Sequence, residues 1–183
     1  MKIEEIPCNF VASFKVGDNL VYNCKVLCDL VEKNPDGSFN KPIILQVASI
    51  LEASLLQIIV RAQNFNREGV PEISEADRQE IIGKKIDKFN TVIDVMKKYG
   101  ILDALGSDIY DNLHRLRRFR NKVHIQDDIN IDDISRDEID VFSDEECSRV
   151  LALNKCVIAY LADKRKRPKH IDGYVNNLPL PIT

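Results

Sequence analysis

Residues 113–125, Leu-His-Arg-Leu-Arg-Arg-Phe-Arg-Asn-Lys-Val-His-Ile, gather four arginines, one lysine and two histidines. These side-chain types hold phosphates and move protons. A forked guanidinium bonds two phosphate oxygens at once, and histidine titrates near neutrality. Leu102, Leu105, Ile109, Leu113, Leu116 and Val123 recur at steps of three, four or seven, which predicts an α-helix with one apolar face. With Leu116 at zero on a helical wheel, Arg120 lies at about 40°, Leu113 at about 60°, His124 at about 80° and Arg117 at about 100°. Arg118 and Arg115 fall on the far side, at about 200° and 260°, where a charge needs only water. An arginine beside a buried stripe is costly without a partner, so Arg120 is the position that needs an explanation. One turn separates it from His124, close enough for the two to share an anion, with the Asn121 amide beside them. A structural reading competes: Arg120 pairs with a buried acid and His124 is a hydrogen-bonded core histidine.

Arg120-Asn121-Lys122-Val123-His124, at the end of an amphipathic helix, resembles the HEPN domain (higher eukaryotes and prokaryotes nucleotide-binding). The family consists of small all-helical bundles, many of them metal-independent ribonucleases. Its motif is an Arg, usually followed by Asn, Asp or His, and then a His with four to six residues between the two, one more at the least than lie between Arg120 and His124. Here three residues separate Arg120 from His124, whereas Arg118 and Arg117 leave five and six. The resemblance implies an RNA substrate whose 2′-hydroxyl attacks the adjacent phosphate. His124 would be the general acid or base, Arg120 would stabilise charge on the phosphate, and Asn121 would orient one or the other. Arg117 would supply a second phosphate contact. It also implies no metal or cofactor, a homodimer with the site at its two-fold, and, for a toxin or defence role, an antitoxin partner. Two other functions compete: a HEPN-like bundle that only binds RNA, a nucleotide or a protein, and a structural protein in which Arg120 locks a dimer.

At 183 residues, 44% hydrophobic and 30% charged, the chain fits one helical domain over residues 1–166 with a C-terminal tail at 167–183. A net charge of −3 argues against a general nucleic-acid coat while leaving room for a local basic cleft. The five cysteines include no Cys-x-x-Cys pair and no histidine at zinc spacing. With no basic-then-apolar leader at the N-terminus, this suggests a reduced, cytoplasmic protein.

The elements that must carry the motif follow from periodicity and caps. The expected architecture is an all-α, up-and-down bundle of about five helices, HEPN-like. Residues 1–16 read as an irregular or weakly extended lead, with room for a short edge strand. Residues 17–34 read as a helix striped by Leu20, Cys24, Leu27 and Val31, closed by the turn Asn34-Pro35-Asp36-Gly37. Residues 42–64 are apolar enough to suggest a membrane span. Gln46, Ser49, Glu52, Ser54 and Gln57 interrupt them, so a central bundle helix is expected instead. Glu52, in apolar company, calls for a cation, with Arg117 or Arg120 as candidates; a solvent-edge position is the alternative. A helix capped by Ser74 is expected over 75–99 and ends at Gly100. The motif helix starts near Leu102 or, after Gly106, near Asp108. Residues 126–142 form an acidic loop, read as a solvated linker rather than a metal site, anchored by a few isoleucines such as Ile139. Ser143 and Glu146 form a capping box for a last helix over 144–164, and Lys164-Arg165-Lys166-Arg167 reads as its solvated end.

Overall fold

The structure, a computed structural model, describes residues 2–65, 73–122, 135, 137–171 and 173–182. Among these it is mostly helical: β1 (Lys2–Ile6), α1 (Phe14–Glu32), α2 (Asn40–Asn64), α3 (Glu75–Ile82), α4 (Phe89–Lys98), α5 (Ile109–Asn121), α6 (Glu138–Val141), α7 (Asp144–Lys164) and β2 (Leu178–Ile182). Seven helices replace the expected five, and a two-stranded sheet joins the two ends of the chain.

The core is built around α2. Ile43, Ile44, Val47, Ala48, Leu51, Leu55 and Ile58 are wholly buried, and α1, α3, α4, α5 and α7 all pack against the helix. Each fully buried Leu or Ile contributes roughly 1.5–3 kcal/mol of transfer free energy, so this one helix carries much of the hydrophobic stabilisation. By length and composition α2 could cross a membrane; in this fold 61% of its most apolar window is buried inside the protein. Its polar residues serve the packing. Gln57 Oε1 accepts from the Ala12 and Ser13 backbone N–H groups at 3.1 and 2.9 Å, fixing the entry to α1. Ser13 then caps that helix.

The expected helix over 75–99 is two helices. Ser74 caps α3, accepting from Asp77 N at 3.1 Å, but α3 ends at Gly83. Gln63 explains the break: its Nε2 donates to the carbonyls of Ile81 and Lys84, both at 3.1 Å. Carbonyls satisfied from outside no longer need the helix to continue, and glycine is a poor residue with which to continue it. The motif helix starts at Ile109, after a 3-10 turn over Asp103–Leu105 and Gly106 at φ 110°. α7 starts and stops where its capping box and basic end predict.

The expected tail is tied into the fold. β2 pairs antiparallel with β1, Ile6 opposite Leu178 and Lys2 opposite Ile182, and Leu178 and Leu180 are fully buried. The expected solvated basic end is a correction of the same kind. Arg165 and Arg167 are 2% and 8% exposed. Arg165 Nη2 donates to Ile101 O at 2.8 Å, and Arg167 Nη1 to Val11 O and Ala12 O, both at 3.3 Å. Buried guanidinium groups persist only when hydrogen-bonded; these use carbonyls that loops leave unmatched. Of the acidic loop, residues 126–134 and 136 lie outside the described residues. The remainder forms α6, capped by Asp137, with Val141 and Phe142 as its buried anchors and Ile139 exposed.

Candidate functional site

α5 presents its last two turns between α2 and α4. Ile109, Leu113, Leu116 and Phe119 bury one face. Phe119 widens the expected stripe toward Arg115, which is therefore partly buried and partnered rather than free in solvent. Its guanidinium lies 5.3 Å over the Phe119 ring and its Nη2 meets Glu146 of α7 at 3.1 Å. Arg118 is half-buried, and Lys122 is buried with its Nζ donating to Ser135 O at 2.6 Å.

The cation for Glu52 is Arg120. The Nη1 of Arg120 lies 2.9 Å from Glu52 Oε1 and 2.8 Å from Oε2, and the two side chains are 39% and 21% exposed. The carboxylate straddles a single nitrogen, and no other bond reaches this guanidinium among the described residues. Arg120, Asn121 and Arg117 line one open cleft of about 590 Å³. Glu52 forms one wall. Asp87, Lys88, Phe89 and Asn90, at the start of α4, form the other. Sequence reasoning missed this wall, because the break that creates the start of α4 is set by Gln63 from another helix.

The cleft favours anions at two points. The first turn of α4 carries no acid, and no side-chain cap bond from its N-cap, Lys88, offsets the positive helix end there. Across from it, Arg117 makes no hydrogen bond or ion pair among the described residues. Burial and the adjacent Arg118 lower its pKa below the usual arginine value. Arginine stays charged nonetheless, so a bound anion would relieve that penalty. The two carboxylates of the cleft are engaged: Glu52 by Arg120, and Asp87 by Lys85 at 3.0 Å, which holds the Asp87 carboxyl below its usual range.

Of the predicted site residues, the structure brings together Arg117, Arg120 and Asn121. His124 lies outside the described residues, two positions beyond Lys122 in the chain. The histidine that is described on α5, His114, sits one turn before Arg117 and does not line the cleft. Its Nε2 is 3.4 Å from Asp94 Oδ1. Burial, then Arg117 and Lys97, outweigh Asp94 and lower its pKa below 6.5. The folded state therefore binds fewer protons here than the unfolded chain, and stability falls as pH drops through 6.5. His114→Gln should flatten the loss of melting temperature between neutral and mildly acidic pH. An equal acid loss in the variant would remove His114 as its source.

Among the described residues no group of three or more His, Cys, Asp or Glu is gathered to hold a metal ion. The cysteines are all free. Burial pushes the thiols of Cys8 and Cys24 up to about 12, which leaves them as packing groups rather than nucleophiles. Compared with protein-family models, with curated proteins and with solved structures, the chain matches none.

Proposed function

We propose that the chain is a HEPN-like, metal-independent endoribonuclease whose active site is the cleft at the C-terminal end of α5. The observation that carries this reading is the convergence of Arg117, Arg120 and Asn121 on one open cleft opposite the uncapped start of α4. In the reaction the RNA 2′-oxygen attacks the neighbouring phosphorus. The O2′–P bond forms, the P–O5′ bond breaks, and a cyclic phosphate and a 5′-hydroxyl result. The proton leaves the 2′-hydroxyl and ends on the 5′-oxygen. His124 handles that transfer, imidazole being a side chain that can both accept and donate a proton near neutrality. Arg120 stabilises the charge that builds on the non-bridging oxygens, Asn121 orients the phosphate or the imidazole, and Arg117 holds a neighbouring phosphate.

The test is cleavage of mixed RNA by the purified protein in EDTA, beside Arg120→Ala and His124→Ala. Cleavage by the parent chain and loss in both variants is the expected result. An inactive parent chain, or variants that cut as well as it does, would remove the catalytic reading. One observation favours a second function, a bundle that binds RNA, a nucleotide or a protein without cutting: Glu52 already engages Arg120. That reading predicts RNA binding with no cleavage, and affinity kept in His124→Ala.

A further inference from the structure

The two-stranded sheet is closed on one side and open on the other. β2 reads Leu178-Pro179-Leu180-Pro181-Ile182. In an antiparallel pair alternate residues turn their N–H and C=O groups toward the partner strand. Proline has no N–H, so Leu178, Leu180 and Ile182 must be the residues that exchange bonds with Ile6, Glu4 and Lys2. Pro179 and Pro181 then face outward, and that edge offers no donor at either position. It is also covered: the Cys28 thiol of α1 donates to Pro179 O at 3.5 Å.

β1 carries no such protection. By the same register, Ile3 and Glu5 turn their N–H and C=O groups away from β2. Among the described residues no hydrogen bond reaches them. Ile3, at the centre of this edge, is 50% exposed. An unpaired edge with an apolar side chain and no proline is a template for strand addition.

We infer that the outer edge of β1 pairs antiparallel with the β1 of a second copy of this chain, giving a four-stranded sheet with the proline edges outermost. Charge argues for this occupant and selects its register. With Ile3 opposite the partner's Ile3, each Lys2 stands opposite the partner's Glu4, at non-hydrogen-bonded positions where side chains come closest. The alternative register, Ile3 opposite the partner's Glu5, sets the two Glu4 side chains against each other. Glu4 is held on that face by Lys155 at 2.6 Å, ready for a second cation. The contact is small, so the dimer belongs to the weak, reversible class. It shares no element with the Arg120 cleft, so it is distinct from the two-fold at the site that the HEPN resemblance implies; a dimer through the cleft would survive Ile3→Pro and Lys2→Glu undiminished.

Sedimentation velocity over a concentration series tests it. The parent chain should show a reversible dimer. Ile3→Pro removes the outward N–H but no bond to β2, and should be monomeric with the parent's circular dichroism and melting. Lys2→Glu leaves the backbone untouched and should weaken association about tenfold. It also provides the answer should Ile3→Pro fold poorly. Lys2→Glu combined with Glu4→Lys should recover association. A parent chain monomeric at every concentration, a dimer undiminished in Ile3→Pro and Lys2→Glu, or a double variant no better than Lys2→Glu would overturn the inference.

Discussion

Arg61→Ala should melt roughly 6–12 °C below the parent chain, the equivalent of about 3 kcal/mol in a chain of this size. Arg61 lies on the last turn of α2 and is 4% exposed. Its Nη1 donates to Phe10 O at 3.2 Å and, over a short contact, to Arg165 O; Nη2 reaches Lys166 O at 3.5 Å. One guanidinium thus joins the lead before α1 to the chain leaving α7. Those segments are irregular, so their carbonyls lack helix or sheet partners. Alanine removes the donors, strands the acceptors and leaves a cavity, and each of these costs separately. Arg61→Met refills most of the space without the donors and should recover only the packing share. Thermal unfolding followed by circular dichroism measures both. An alanine variant melting within about 2 °C of the parent would mean that these carbonyls find other partners.

What could be read from the sequence divides by the range of the interaction. The bounds of α7 were legible because a local signal, Ser143 with Glu146, starts it and a local basic run ends it. The need of Glu52 for a cation, Arg117 or Arg120, was legible for a different reason, though the sequence left the choice between the two, and a solvent-edge position, open. Each residue, placed on its own helix, was a charge beside an apolar stripe, and two such charges of opposite sign need each other. The end of α3 was not legible, because Gln63 on α2 supplies the hydrogen bonds that stop it. The role of Arg115 was hidden for the same reason, since its partner Glu146 is on α7.

The C-terminal strand shows how a correct local rule leads to the wrong element. Two prolines in five residues argue against a strand in the middle of a sheet. Here both fall at positions whose N–H would face away from the partner, so the ladder loses nothing. Pairing Lys2 with Ile182 closes nearly the whole chain into a loop, and no local periodicity announces that. The buried Arg167 follows from it, since the chain that returns from α7 to β2 passes over the lead before α1, whose carbonyls need donors, while Arg165 serves Ile101 O in the turn after α4.

The Glu52–Arg120 pair joins stability to the proposed chemistry, and three substitutions separate the two. Glu52→Lys sets two cations against each other at a half-buried seam and should cost about 2 kcal/mol, less than a fully buried pair because water still reaches both groups. Unchanged melting of Glu52→Lys would show that the pair contributes nothing to the fold. Glu52→Gln keeps an acceptor for Nη1 and should cost about 1 kcal/mol. It also removes a negative charge from the cleft, so RNA should bind about fivefold tighter at low salt. On the proposed ribonuclease reading, Arg120→Ala removes the group that would meet the phosphate and should lower kcat about 10²–10³-fold, well beyond what its modest loss of stability explains. If Glu52→Gln leaves RNA affinity unchanged, phosphate does not enter this cleft. The pair is then a structural seam between α2 and α5. If affinity rises while Arg120→Ala loses turnover, Glu52 competes with the substrate for the arginine that catalysis uses, and the carboxylate lowers affinity in return for holding Arg120 in place.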